Sequence, residues 1–161
     1  MLDPDFVIST HDEIIARSGG LAGLAQAGHG GVDAALQRIA QHVHYAGLDD
    51  VFGIAALYGV AIARGHIFND GNKRTGLTCA LAYLEQEGFS MPVDAAFEEV
   101  MVDVASGRVD QVEFATFLYS SWHQSRTERI GMPSFLPGTA IATDSSSPKS
   151  AKTSSTRRSR R

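Results

Sequence analysis

The chain has 161 residues and only one cysteine, Cys79. No disulfide can close within it, and nothing in its cysteine usage points to an oxidising compartment. The start, Met1 to Ile8, carries Asp3 and Asp5 and lacks both a basic opening and a long apolar core, so it does not read as a signal peptide. No apolar run approaches the ~18 residues that a membrane helix needs. Alternating strand patterns are scarce, and there is no internal repeat. The expectation is a soluble cytoplasmic protein with no membrane contact.

What is present is an ordinary globular composition. Apolar residues make up 43% of the chain, enough for one packed core. The net charge of −4 hides a split. Six of the 14 basic residues but only one of the 18 acids lie between Thr143 and Arg161. That end carries +5 and the remainder −9. An acidic globule repels a phosphate backbone, so nucleic acid is not expected as the main partner of the domain. The basic end leaves room only for a weak contact.

Composition changes near Arg129 to Pro137. Pro133, Pro137 and Gly138 break structure there, and serines dominate beyond, ending in Arg-Arg-Ser-Arg-Arg. Such a stretch buries too little apolar surface to offset its ordering entropy. Residues 129–161 therefore read as a disordered, dispensable tail behind a domain spanning 1–128.

Within the domain the periodicity is helical, and the fold class is all-α, a compact bundle of about six helices. Asp5 to Ser18 is stopped by Gly19-Gly20. Gly28 to Gly31 reads as a loop, after which Asp33 caps a helix whose apolar face includes Leu36, Ile39, Ala40 and Val43. Asp49-Asp50 opens a third helix over Val51–Ala63, apolar almost all round and so central. A fourth runs from about Asn72 to Glu87 and ends at Gly88. Asp94 starts a fifth, ending near Gly107, and Asp110 a sixth with Val112, Phe114, Phe117 and Leu118 inward. A short hairpin near Phe89 to Val93 is left open.

One segment does not fit a bland bundle: Gly65-His66-Ile67-Phe68-Asn69-Asp70-Gly71-Asn72-Lys73-Arg74-Thr75-Gly76. Lys73 and Arg74 fall at a helix start, where the dipole disfavours cations by about 0.3–1 kcal/mol each. Two adjacent cations make sense there if an anion joins them. Free N–H groups at a helix start, with Lys and Arg, form a phosphate site. Gly71 permits close approach of backbone to phosphate, and Asn72 can cap the helix or meet a phosphate oxygen. Asp70 beside a polyphosphate is useful if it holds Mg²⁺. His66 supplies an imidazole able to take a proton from a hydroxyl. Phe68 reads as the anchor pinning the loop into the core, and Asn69 as a loop or cap residue. Arg64 either reaches phosphate or pairs with an acid. The segment is not a Walker A loop, because Asn72 separates Gly71 from Lys73.

Other candidates read as structural. His11-Asp12-Glu13 is taken as a helix-surface cluster without a second ligand set. His42 and His44 face different directions on one helix. Cys79 has apolar neighbours and reads as buried and inert.

The run His66 to Arg74 resembles the signature of the Fic/Doc family. It is specifically similar to the Doc (death-on-curing) branch, His-x-Phe-x-Asp/Asn-Ala/Gly-Asn-Lys-Arg. His11-Asp12, Gly19-Gly20-Leu21, Ala61-Ile62-Ala63-Arg64 and Ala105-Ser106-Gly107 extend the likeness over roughly residues 5 to 122. The resemblance implies a Fic-type helical fold and a toxin of a toxin–antitoxin pair. Most Fic enzymes end the motif Gly-Asn-Gly-Arg and transfer AMP. Here Lys73 replaces the second glycine, a change that in the Doc branch accompanies transfer of the γ-phosphate to elongation factor Tu. By this likeness His66 is the general base, Asp70 the Mg²⁺ ligand, and Gly71, Asn72, Lys73 and Arg74 the nucleotide-phosphate binders, with ATP as co-substrate. No inhibitory helix is visible, since Glu87-Gly88 has Tyr83 where Ser or Thr belongs. The implied restraint is a Phd-type antitoxin acting in trans. An AMP transferase, or a binding module without activity, are the alternatives.

Overall fold

A computed structural model describes residues 1–129, and the Ser/Arg-rich stretch that was expected to be a disordered tail lies, from residue 130 onward, outside the described residues. The described residues form six helices: α1 Pro4–Ser18, α2 Gly28–Ala46, α3 Val51–Arg64, α4 Asn72–Gln86, α5 Ala95–Ser106 and α6 Gln111–Arg129. No helix among them is long and apolar enough to cross a membrane.

Most boundaries follow from capping. The Asp3 carboxylate accepts from the Asp5 N–H at 2.8 Å, and Pro4 occupies the first helical position, where its missing N–H costs nothing. Asp50 accepts from the Phe52 and Gly53 N–H groups. Asp94 caps α5 through the Ala96 N–H. At α6 the capping is reciprocal: Asp110 accepts from the Glu113 N–H at 2.9 Å, and Glu113 accepts from the Asp110 N–H at 2.8 Å.

α3 sits at the centre, with α2, α4, α5 and α6 packed around it. Its sequence predicts this, because Phe52, Ile54, Ala55, Ala56, Tyr58 and Ile62 are buried on all sides. α3 and α4 approach closely, since a Cβ added to Gly76 would stand 2.8 Å from the Gly59 carbonyl oxygen. This contact brings the first turns of α4 up against α3.

Two expectations are corrected, and one point left open is decided. α2 begins at Gly28, not after Asp33, and no side chain caps it. Burial of Val32, Ala35, Leu36 and Ile39 against the core outweighs the roughly 1 kcal/mol that each early glycine costs a helix. Val112 is 69% exposed, while Phe114 and Leu118 are fully buried. Two residues along a helix is about 200° of rotation, so Val112 and Phe114 cannot share a face. Residues 89–93 form no strand. Phe89 instead packs edge-on against Phe52 and Trp122.

Candidate functional site

The loop between α3 and α4 is held from three sides. Behind it, Phe68 is buried at 2% exposure, and its ring lies parallel to that of His11 with centroids 3.9 Å apart. Beside it runs the connection from α1 to α2, which pairs with the loop in antiparallel fashion. The Ala25 N–H donates to the Ile67 carbonyl at 2.8 Å, and the Asn69 N–H to the Gly23 carbonyl at 3.1 Å. Asn69 also donates from its side chain to the Ala22 carbonyl. Across its base, the Asn72 amide clamps the Phe68 backbone, accepting its N–H at 3.0 Å and donating to its carbonyl at 2.8 Å.

Asn72 therefore does not cap α4. The cap is Gly71, in the left-handed region at φ 74°, and it contributes no side-chain bond. The N–H groups of Asn72, Lys73 and Arg74 in the first turn have no intrahelical partner. They stand at the positive end of the helix dipole, where an anion is favoured. With its amide engaged on Phe68, Asn72 has its backbone N–H to offer a phosphate.

Asp70 is half-exposed and anionic. One oxygen accepts the Gly71 N–H at 2.6 Å, and the other stands 3.8 Å from the Arg74 guanidinium. The Gly71 N–H is the main cause holding its carboxyl below the usual range; the Leu21 N–H, Arg74 and His11 act the same way, while desolvation opposes them. Arg74 also donates to the Ser18 hydroxyl and the Gly19 carbonyl, tying α4 to the end of α1. Lys73 is exposed and forms no ion pair among the described residues.

His66 has φ 47°, the one non-glycine residue in the left-handed region among those described. Such a conformation costs of order 1–3 kcal/mol and persists only where its surroundings impose it. His66, Asn69, Asp70, Gly71, Asn72, Lys73 and Arg74 line one cleft of about 290 Å³. Phe68 is not among them and lies behind it. A slightly larger groove, about 320 Å³, lies between α2 and α3 and has no carboxylate in its lining. Its Arg64 pairs with no acid among the described residues. It donates to the Val104 and Val109 carbonyls at 2.7 Å each, bracing the end of α5.

The donor set fits Mg²⁺ in one specific way. No group of three or more His, Cys, Asp or Glu side chains able to hold a metal occurs among the described residues. Mg²⁺ commonly takes one or two carboxylates and completes its shell with substrate phosphates and water. An ionised, half-exposed Asp70 beside the anion site matches that pattern.

Two contributors escaped the sequence reading. His11 is not on the surface: it is fully buried, with Nε2 3.2 Å from the Asp70 carbonyl oxygen and Nδ1 3.1 Å from the Asp12 carboxylate. Its spacing of four from Val7 and Ile15, both buried, placed it on the inner face of α1. Gly20, at φ 126°, passes so close that an added Cβ would lie 2.5 Å from the Asp70 carboxylate.

Comparison with known proteins agrees with this architecture. A family model described as Fic/DOC family matches residues 1–84. The chain is also 38% identical over 108 residues to the protein kinase doc of Escherichia phage P1, an alignment covering 67% of this chain and 84% of the phage protein. The match includes the whole His66–Arg74 loop and the helices that hold it, so the chain belongs to the Fic/DOC family.

Proposed function

We propose that the protein is the toxin of a toxin–antitoxin pair and acts as a kinase. It transfers the γ-phosphate of ATP, with Mg²⁺, to a hydroxyl of a translation factor, elongation factor Tu, and so stops translation. The supporting observation is the single cleft that joins His66, Asp70 and the cationic first turn of α4. The name of the phage relative, a protein kinase, favours the same chemistry.

His66 takes the proton from the attacking hydroxyl. The hydroxyl oxygen bonds to the γ-phosphorus as the bond to the β–γ bridging oxygen breaks, leaving ADP. Lys73, Arg74 and the free N–H groups of α4 balance the charge on the phosphoryl oxygens through the transfer. Asp70 would hold Mg²⁺ through a carboxylate oxygen, and the ion, when bound, would supply positive charge to offset the negative charge developing on the ADP leaving group. The partner restraining the protein is a Phd-type antitoxin acting in the cytoplasm.

Lys73 separates this reading from AMP transfer. A long cationic side chain at that point crowds the loop cleft and binds a phosphate itself. The test is intact-mass spectrometry of purified elongation factor Tu after incubation with the protein, Mg²⁺ and ATP. One added phosphate is the expected result, absent with His66→Ala. One added AMP would make the protein an AMP transferase. No change with either protein would favour another target or a binding role.

A further inference from the structure

The central helix is covered on every side but one. Of the 14 residues of α3, only Val51, Leu57, Val60, Ala61 and Arg64 are not buried. The last four recur at i, i+3, i+4 and i+7, so they form a single stripe along the helix. That stripe is the floor of the groove of about 320 Å³ between α2 and α3, and Ile39 completes it from α2.

The rim of this groove is basic. Arg38 and His42 stand one turn apart at exposed positions of α2. Neither forms an ion pair among the described residues. Arg64 closes one end. Two of its nitrogens are fixed on the Val104 and Val109 carbonyls, so its guanidinium is in place before any ligand arrives. No carboxylate lines the groove, although acids outnumber basic residues in the domain. The groove also adjoins the candidate base. Gly65 lines it, and the next residue, His66, lines the loop cleft. Consecutive Cα atoms are only about 3.8 Å apart.

We infer that the α2–α3 groove holds the protein substrate, taking a segment beside the acceptor hydroxyl that carries both apolar and acidic side chains. This inference rests on the kinase reading above and adds the class of substrate to it. Apolar side chains cover Leu57, Val60 and Ala61, and carboxylates meet Arg38, His42 and Arg64. The site is an open stripe between two helices and not an enclosed pocket, which suits a chain segment better than a small molecule. From Leu57 to Arg64 the stripe runs about 10 Å, the reach of about three extended residues. The acids of the substrate therefore lie within about five residues of the hydroxyl presented to His66.

The test measures transfer from ATP to purified elongation factor Tu by the full chain. Arg38→Glu and His42→Glu, both at exposed positions, are each expected to raise KM for the factor about tenfold and to leave kcat and Mg²⁺-ATP affinity within about twofold. The difference from the unaltered chain should narrow as salt is raised. Arg126→Glu makes the same change of charge at an exposed position of α6, outside the groove, and should leave KM where it was. An unchanged KM in both groove variants would overturn the inference and leave the groove to another occupant. An equal rise in Arg126→Glu would overturn it in favour of net charge alone. No transfer by the unaltered chain would remove the proposed function itself, and this inference with it.

Discussion

The imidazole of His11 lies face to face with the ring of Phe68, 3.9 Å between centroids and 3° between planes, while its Nε2 meets the carbonyl oxygen of Asp70 at 3.2 Å. One buried side chain of α1 thus holds two points of the loop at once. It grips the apolar residue behind the cleft and the backbone of the carboxylate in front of it. Asp70 is positioned from the first helix of the chain, 59 residues away.

His11→Phe keeps the stack and leaves the Asp70 carbonyl without its donor, at a cost of about 1–3 kcal/mol. The expected outcome is a lower melting temperature together with a higher Mg²⁺ concentration for half-maximal transfer. His11→Gln, whose amide can donate, should recover part of both. A fall in melting temperature with no change in Mg²⁺ requirement would reduce His11 to packing alone.

Gly20→Ala places a methyl group 2.5 Å from the Asp70 carboxylate and 2.9 Å from the Ile15 side chain, at a φ of 126° that alanine rarely adopts. Gly19, at φ 74°, has open space around its missing Cβ. Both Gly→Ala changes should destabilise the fold by about 1–3 kcal/mol through backbone strain. Only Gly20→Ala should also weaken binding of Mg²⁺-ATP, which titration calorimetry reads directly. Equal effects of the two on binding would argue against a steric role for Gly20 at Asp70.

Arg64→Met removes two charge-assisted hydrogen bonds to the Val104 and Val109 carbonyls. Hydrogen bonds to charged groups contribute about 1.5–3 kcal/mol each, so a loss of about 2 kcal/mol or more is expected in denaturant unfolding. Nucleotide affinity should be unaffected. A selective loss of affinity would return Arg64 to the phosphate site.

Cys79 is fully buried, and burial pushes its thiol from 9.0 up to about 12. Between those values the unfolded chain releases a proton that the folded chain keeps. Stability should therefore fall as pH rises above 9.0, by about 1.4 kcal/mol per unit from this group. Cys79→Ala should lose that component of the slope. Below pH 9.0 the thiol is protonated in both states, and thiol reagents should label it only on unfolding.

The helices were largely legible because their signals are local. Asp50, Asp94 and the Asp110–Glu113 pair cap through neighbouring N–H groups, and an apolar surround marked α3 as central. The start of α2 was not, because there the local signal points the wrong way. Three glycines and a capping-type Asp33 suggest a loop, and only burial of Val32 and Ala35 from the far side of the molecule reverses it. The roles of Asn72 and Arg64 were hidden for a related reason. Their types suit phosphate, but their donors are engaged by backbone carbonyls of Phe68, Val104 and Val109. A sequence does not display which carbonyl will be close.

By itself the sequence determined the helical class, the order of the elements and the nine-residue loop on which the proposed chemistry rests. Periodicity, capping and motif spacing act within a few residues of one another. The tertiary structure alone decided that His11 lies under that loop, that Gly20 must be bare beside Asp70, and that Arg74 reaches back to Ser18 and Gly19. Those relations join α1, the α3–α4 loop and α4, and they arise only when burial of one shared core brings the distant segments together.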